Sequence, residues 1–319
     1  DGILDSIFVE NTLIEDNVTY SSLMYLNGYG ATILTLNKNT FCKNKCRDFS
    51  DGTSGGTVIT ASSSFDSVRI CNNTIVSNSV KSSILQLNGS LQFQINNNTI
   101  VGNYGCSSLT SCYGVKLNLK GNVILGNTSS HFDTEMIFAS YSTKGVIEDN
   151  ILPYVFITSC VTDVKKNNIV SIYNPVEVCE EFKEIENRNE EILTSLFEGT
   201  YNSETNLFTP VLAYNGGFTP TVALKSDRLP DGTSIRFPLS ETTVATDQRG
   251  VARLEQTCMG AYELECTVDT TRTTDTIVVG EKFLDKVYAI GRHDSIFETI
   301  ALPNGCDSVV MHTLIVKPD

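Results

Sequence analysis

The sequence predicts an all-β fold: a right-handed parallel β-helix, which is a solenoid of stacked coils, followed by a small β-rich module. Three observations predict this fold. A short asparagine motif recurs along the first half of the chain, and apolar residues hold constant positions around it. The composition, which lacks Trp and is rich in β-branched residues, Asn and Gly, favours many short strands joined by tight turns.

The asparagine motif defines the repeat. Its clear copies read NTFCKN, NTIVSN, NTIVGN and NVILGN, and they begin at Asn39, Asn73, Asn98 and Asn122. Weaker copies begin at residues 11, 150 and 168. Successive copies begin 18 to 34 residues apart, so loops of variable length must separate constant strands. We expect each asparagine at a corner of the coil, where it tolerates the left-handed conformation and can hydrogen-bond along the stack.

Apolar columns flank this asparagine. In most copies, the positions five and three residues before it and two residues after it are apolar, as at Phe93, Ile95 and Ile100. Alternation of apolar with polar residues is the pattern of a strand with one buried face. The alternative is an asparagine-rich β-sandwich, which has no need to keep its asparagines in register with apolar columns over six repeats.

The pattern weakens towards residue 165. Lys165 stands where the inward column requires an apolar residue, and the acidic stretch 177–198 follows it. We expect this stretch to be a loop or a short amphipathic helix before the final coils.

Charge and composition limit the function classes. The formal net charge is −14 and the pI is about 4.7, so the surface repels a phosphate backbone and we expect no nucleic-acid partner. No apolar run reaches the length needed to span a membrane, and we expect a monomer. We expect no cofactor, although an acidic surface can bind Ca²⁺ and Asp48 and Asp51 lie in a glycine-rich loop.

The ten cysteines form no zinc-type pattern, and local pairs such as Cys106/Cys112 and Cys258/Cys266 suit an oxidising compartment.

Three strings near the end of the predicted β-helix carry a resemblance. They read VLAYNGGFTPTVAL, TDQRGVAR and CMGAYE, at residues 211–224, 246–253 and 258–263. Their order and spacing resemble the closing segment of bacterial extracellular right-handed parallel β-helix proteins of the pectate-lyase-like superfamily. A Ser-Pro-Ala-Ile-Asp string of that family is missing, since residues 225–235 read KSDRLPDGTSI. We expect the charged residues of these motifs to form structural ion pairs between Asp247, Arg249, Arg253 and Glu263.

The last segment resembles a second family. Its string NGCDSVVMHTLIV, at 304–316, is similar to a module of surface proteins from Gram-negative anaerobes. This resemblance implies a β-helix over residues 1–265 and a module over 266–319. It also implies a Cys266–Cys306 disulfide and a location outside the cell or on its outer surface.

One column of the repeat is charged. The position two residues before the asparagine holds Asn37, Cys71, Asn96, Lys120, Glu148 and Lys166. In a β-helix the last three are vertical neighbours about 4.8 Å apart. A lysine beside a carboxylate could abstract a proton from an acidic polysaccharide, as a polysaccharide lyase does.

A structural reading of this column is favoured, because alternating charges also hold coils in register. We therefore expect a non-catalytic, adhesin-like surface protein that binds glycans or other surfaces. A polysaccharide lyase or related carbohydrate-active enzyme is the alternative, and fold alone does not decide between the two.

Overall fold

The structure is a computed structural model, and it describes residues 5–27, 33–47, 56–62, 65–105, 108–127, 136–140, 144–152, 154–158, 164–166, 168–171, 183–185, 189–205, 207–241, 243–264, 270–301 and 307–319. The chain divides into two compact units, Asp1–Leu264 and Glu265–Asp319, named unit 1 and unit 2 below. In the described part of the chain, no helix is long and apolar enough to cross a membrane.

Unit 1 consists of short strands and one helix. The strands of its first part are β1 (Ser6–Glu10), β2 (Leu13–Glu15), β3 (Val18–Thr19), β4 (Met24–Asn27), β5 (Ile33–Asn37), β6 (Thr40–Cys42), β7 (Lys45–Cys46), β8 (Ile59–Ser62), β9 (Ser67–Cys71), β10 (Thr74–Val76), β11 (Ser83–Asn96), β12 (Thr99–Val101), β13 (Ser108–Lys120), β14 (Val123–Leu125), β15 (Met136–Ser140), β16 (Lys144–Glu148), β17 (Ile151–Leu152), β18 (Tyr154–Thr158), β19 (Val164–Lys166), β20 (Ile169–Ser171) and β21 (Lys183–Ile185). Its second part contains α1 (Asn189–Leu196), β22 (Gly199–Asn202), β23 (Leu207–Pro210), β24 (Arg236–Pro238) and β25 (Gln256–Cys258).

The strands of the first part stack in parallel into three faces, which confirms the predicted parallel β-helix. Face 1 contains β1, β5, β9, the second halves of β11 and β13, β16 and β19. Face 2 contains β2, β6, β10, β12, β14, β17, β20 and β21. Face 3 contains β4, β8, the first halves of β11 and β13, β15 and β18.

The inward side chains of the three faces form one apolar core. On face 1 every second residue is buried, as at Leu34 and Leu36 in β5 and at Phe93 and Ile95 in β11. The inward columns are those that the sequence predicts. Lys165 pairs in register with Ile147, at the position where the pattern weakens.

Asparagine ladders run along two corners of the solenoid. The first ladder, between faces 1 and 2, consists of Asn39, Asn73, Asn98, Asn122, Asn150 and Asn168. Each rung is buried. From Asn73 onward, its Oδ1 accepts from the Nδ2 and the backbone N–H of the rung one coil earlier, at 3.0 and 2.9 Å for Asn98 and Asn73. A second ladder five residues later consists of Asn17, Asn44, Asn78, Asn103 and Asn127. The motif thus contributes a rung at both ends of a three-residue strand.

Two details of the asparagine prediction are wrong. From Asn39 to Asn150, the left-handed residue is the one before the rung, as at Lys38, Asn72 and Asn97, where φ is 54°, 59° and 54°. In the first coil, Thr12 and not Asn11 is level with Asn39, because Leu13 pairs with Thr40. Asn11 instead takes the left-handed position, with φ of 54°.

The second part of unit 1 does not extend the solenoid. The sequence predicts further coils after residues 177–198, but β21, which lies within this stretch, is the last parallel strand of unit 1 among the described residues. The antiparallel pairs β22–β23 and β24–β25 follow α1. Residues 211–264 are named the closing segment below. Helix α1 and the closing segment instead pack against the outward side of face 2. Ile192 and Phe208 share an apolar cluster there with Val76, Val101 and Leu125.

Unit 2 is a small β module. Its strands are β26 (Thr270–Val278), β27 (Lys282–Phe283), β28 (Lys286–Val287), β29 (Gly291–Ala301) and β30 (Asp307–Lys317). The central β30 pairs in parallel with β26 and antiparallel with β29. Strands β27 and β28 form a separate hairpin.

Candidate ligand-binding face

The outward side of face 1 consists of three vertical columns of side-chain positions. Column A, two residues before the first ladder, holds Glu10, Asn37, Cys71, Asn96, Lys120, Glu148 and Lys166. Column B holds Phe8, Thr35, Arg69, Gln94, Asn118, Val146 and Val164. Column C holds Ser6, Ile33, Ser67, Gln92, Lys116 and Lys144. The vertical order predicted for the charged column is therefore present.

The charged end of column A contains a tight ion pair. Lys120 Nζ lies 2.5 Å from Glu148 Oε1, and the Glu148 side chain is fully buried while that of Lys120 is 19% exposed. Lys166 pairs in register with Glu148, and its side chain lies outside the described part of the structure. Glu148 therefore neutralises Lys120 within the wall of the solenoid, and its carboxylate has no exposed surface on which to meet a substrate.

The balance of charge on face 1 is opposite to that of the whole chain. The three columns hold five basic positions, at Arg69, Lys116, Lys120, Lys144 and Lys166, and two acidic ones, at Glu10 and Glu148. The chain as a whole has 23 basic and 37 acidic residues. By register position, face 1 thus has an excess of basic residues on a negative protein, and this excess lies in coils three to seven.

Two basic positions are stacked directly on each other. Lys116 in β13 is the register partner of Lys144 in β16, one coil apart. Like charges at directly opposite positions of neighbouring strands destabilise a sheet. The Lys116 side chain is exposed, so an anion at this surface can offset the repulsion.

The remaining outward positions are mostly uncharged and polar. Gln92, Gln94, Asn96 and Asn118 lie half-buried side by side. The hydroxyl of Thr35 and the amide oxygens of Asn96 and Asn118 are buried without a hydrogen-bond partner. A sheet face of this composition presents donors and acceptors at a regular spacing along the solenoid.

A loop of the closing segment adds aromatic side chains at the corner beside column A. Phe218 and Tyr214 are 71% and 69% exposed. The Thr219 hydroxyl donates to the backbone oxygen of Lys38 at 3.0 Å, and the Lys38 ammonium lies 5.7 Å from the centroid of the Phe218 ring. Because Lys38 follows Asn37 of column A, the loop stands next to the outward surface of face 1.

The charged motif residues of the closing segment form the predicted ion pairs, with two additional partners. Arg249 Nε lies 2.7 Å from Asp247 Oδ2, and Arg253 Nη1 lies 3.4 Å from Glu263 Oε2. Arg236 joins Glu263 to a further carboxylate, Asp227, at 3.3 and 2.8 Å. Burial raises the pKa of Glu263, while its hydrogen bond from Thr257 opposes that rise. These side chains are buried and paired with one another, which matches the structural role expected for them.

The closing segment is also hydrogen-bonded to the outward threonines of face 2. The Thr99 hydroxyl donates to Gln248 Oε1 at 2.6 Å, and Gln248 Nε2 donates to the Thr74 hydroxyl at 3.2 Å. The Thr40 hydroxyl donates to the backbone oxygen of Pro220 at 2.8 Å. From β6 to β14, face 2 is therefore covered by its own chain, and this part takes no part in the candidate surface.

Four cysteines, Cys42, Cys46, Cys71 and Cys258, are free thiols. Burial raises the pKa of Cys42, Cys46 and Cys71 to about 11 and that of Cys258 to about 12, so all four are protonated at neutral pH. The pair suggested for Cys258 and Cys266 is not formed, since Cys258 is free and buried. Cys266 and Cys306 lie outside the described residues, as do Cys106, Asp48 and Asp51. In the described ranges, no group of three His, Cys, Asp or Glu side chains could hold a metal ion.

Comparisons with models of known protein families, with curated proteins and with solved structures return no match for this chain. The parallel β-helix stands on the strand register given above.

Proposed function

We propose that the protein is a non-catalytic binding protein whose outward face 1 holds glycan chains, with a preference for anionic ones. The observation that carries the proposal is the reversed charge of face 1. A chain with a net charge of −14 places five basic and two acidic positions on this face. Charge of one sign on one surface attracts a ligand of the other sign and orients its approach.

The shape and chemistry of the face suit an extended polymer. The half-buried amides of Gln92 and Gln94 lie on neighbouring columns of the same coil. They can donate to and accept from sugar hydroxyls, while Arg69 and Lys116 contact carboxylate or sulfate groups. The exposed rings of Tyr214 and Phe218 provide apolar surface at the corner of the same face.

A polysaccharide lyase is the weaker proposal. Lys120, Glu148 and Lys166 are the residues on which it depended. The Glu148 carboxylate is fully buried and paired with Lys120 at 2.5 Å, so neither group is free to remove a proton from a bound sugar. The Lys120–Glu148 pair has the arrangement expected of an ion pair that joins coils five and six.

The resemblance of residues 211–263 and 304–316 to extracellular and surface proteins supports a location outside the cell, on a Gram-negative bacterium. Glycans are abundant partners in that setting. We include this location in the proposal, together with an adhesin-like role.

Affinity electrophoresis of the full chain tests the proposal. The gels contain polygalacturonate, alginate or chondroitin sulfate as anionic polymers, and dextran or galactan as neutral ones. We expect retardation by at least one anionic polymer, weakened by added salt because exposed charges are screened. Retardation by none of a broad set of glycans would contradict the proposed function, and release of unsaturated products, seen by ultraviolet absorbance, would show a lyase.

A further inference from the structure

His312 lies at the centre of the three-stranded sheet of unit 2. It stands on β30, is 7% exposed, and both of its ring nitrogens face carboxylates on the neighbouring strands. Nδ1 lies 2.8 Å from Asp275 Oδ2 of β26, and Nε2 lies 3.1 Å from Glu298 Oε2 of β29. The side chain therefore connects the central strand to both of its partners.

The surroundings of the ring hold this arrangement in place. The Thr273 hydroxyl donates to Asp275 Oδ2 at 3.0 Å and lies 2.8 Å from His312 Nδ1, where the same carboxylate is the charged acceptor. The Phe283 ring of β27 packs edge-on against the imidazole, with centroids 5.0 Å apart. Among the described residues, the charged groups facing the ring are Asp275 from β26 and Glu298 from β29. Strand β27 contributes only the uncharged Phe283.

The chemistry of imidazole gives the arrangement a preferred charge state. A neutral imidazole donates from one nitrogen, whereas an imidazolium donates from both. Two carboxylate acceptors on opposite nitrogens are satisfied only by the charged form. The hydrogen bond with Asp275, followed by that with Glu298, raises the pKa of His312 above its ordinary value, and the same contact lowers the pKa of Asp275.

We propose that Asp275, His312 and Glu298 form a pH-sensitive clasp, which tightens unit 2 when His312 is charged and loosens it when His312 is neutral. This proposal concerns unit 2 alone and is independent of glycan binding by face 1. It assigns a conformational role to side chains that the resemblance to surface-protein modules does not explain.

The direction of the pH effect follows from linkage. A histidine with a raised pKa in the folded state contributes stability that is complete below its unfolded pKa, 6.5, and that disappears as the pH rises through the folded value. Asp275 has a lowered pKa, so its contribution is complete above 3.8 and disappears as the pH falls through the lowered value. The clasp is therefore tightest in mildly acidic solution and opens in alkaline solution.

Hydrogen exchange of the full chain, resolved by peptide mass spectrometry over a pH series, tests the clasp. After correction for intrinsic exchange rates, we expect amide protection in 270–278 and 291–298 to fall as the pH rises above 6.5. The fall is about tenfold for each unit by which the folded pKa exceeds the ordinary one. Protection in β11 of unit 1 serves as the internal reference and stays constant.

Two histidine variants separate the clasp from a general effect. His312→Gln removes the pH dependence and leaves unit 2 with low protection throughout. His293→Gln is the matched control, because His293 lies on the same sheet and its Nε2 contacts only the backbone oxygen of Ala289, at 2.8 Å; it keeps the wild-type profile. A flat wild-type profile, or a profile lost in His293→Gln, contradicts the proposal.

A direct titration keeps the proposal testable if His312→Gln does not fold. Exchange of the imidazole C2 proton in the wild-type chain gives the pKa of each histidine separately. A value for His312 above 6.5 supports the clasp, and a value at or below 6.5 overturns it.

Discussion

Faces 1 and 2 are made by the same repeat and share an asparagine ladder, yet their outward sides differ. Face 2 presents threonines and aliphatic residues, such as Thr99 and Val101, and helix α1 and the closing segment cover them. Face 1 presents amides and lysines, and its side chains at Arg69 and Lys116 are exposed. The contrast shows that one solenoid can use one outer face for its own stability and leave another with exposed charged side chains, the face on which we propose a partner binds.

The polar side chains on the outward sides of the two faces also differ in whether they have hydrogen-bond partners. On face 2 a polar side chain is a partner of another buried group, as Thr99 is of Gln248. On face 1 several polar atoms are buried without a partner, such as the Thr35 hydroxyl. Removing a polar group therefore has opposite consequences on the two faces, and this can be measured.

The largest effect is expected inside the shared ladder. Asn98→Ala removes the side-chain partner of the Asn73 backbone N–H and of the Ile70 oxygen, and it leaves the Asn122 amide oxygen with only the backbone N–H of residue 98. Each lost partner costs about 1–3 kcal/mol, so we expect the free energy of unfolding to fall by about 3 kcal/mol or more in urea titrations followed by circular dichroism.

Asn96→Ala is the matched control, because Asn96 lies two residues earlier on the outward side and its amide oxygen has no partner. We expect its effect on the unfolding free energy to stay below about 1 kcal/mol. Equal losses in the two variants would show that the ladder is not the source of stability.

A smaller effect compares one isosteric substitution on the two faces. Thr99→Val leaves the buried amide of Gln248 without its donor and should lower the free energy of unfolding by about 1–3 kcal/mol. Thr35→Val removes a hydroxyl that has no partner and should be neutral or slightly stabilising. If Thr35→Val is as destabilising as Thr99→Val, the Thr35 hydroxyl stabilises the fold, and the contrast between the two faces is contradicted.

Much of the solenoid is predictable from the sequence. The apolar columns and the vertical order of Lys120, Glu148 and Lys166 follow from aligning the repeats on one asparagine, because strand pairing in a stacked coil preserves that alignment. The second ladder was also readable, since each clear motif ends in an asparagine five residues after the first. An alignment on the first asparagine alone does not reveal it.

Other features depend on information that a one-dimensional pattern does not contain. Asn11 was placed one residue out of register, because a single Asn-Thr pair fits either the left-handed position or the rung. The burial of Glu148 depends on the packing around it, and the aligned sequence column that contains it does not predict that burial. The cover of face 2 had a signal: strands such as TIV at 74–76 are apolar on both sides, which is typical of strands buried on both faces. The position of the closing segment over face 2 depends on long-range contacts, such as that of Thr40 with Pro220, which a sequence pattern does not show.

Lys116 gives the most direct test of the central claim, that face 1 is kept for an anionic partner. In Lys116→Glu the charge that lies opposite Lys144 is reversed, so the variant should be as stable as the wild type or more stable by tenths of a kcal/mol. Its affinity for the retarding anionic glycan should be about five- to tenfold lower, and Lys45→Glu, which reverses an exposed charge on β7 away from face 1, should bind normally. Unchanged affinity in Lys116→Glu, or an equal loss in Lys45→Glu, would contradict the account.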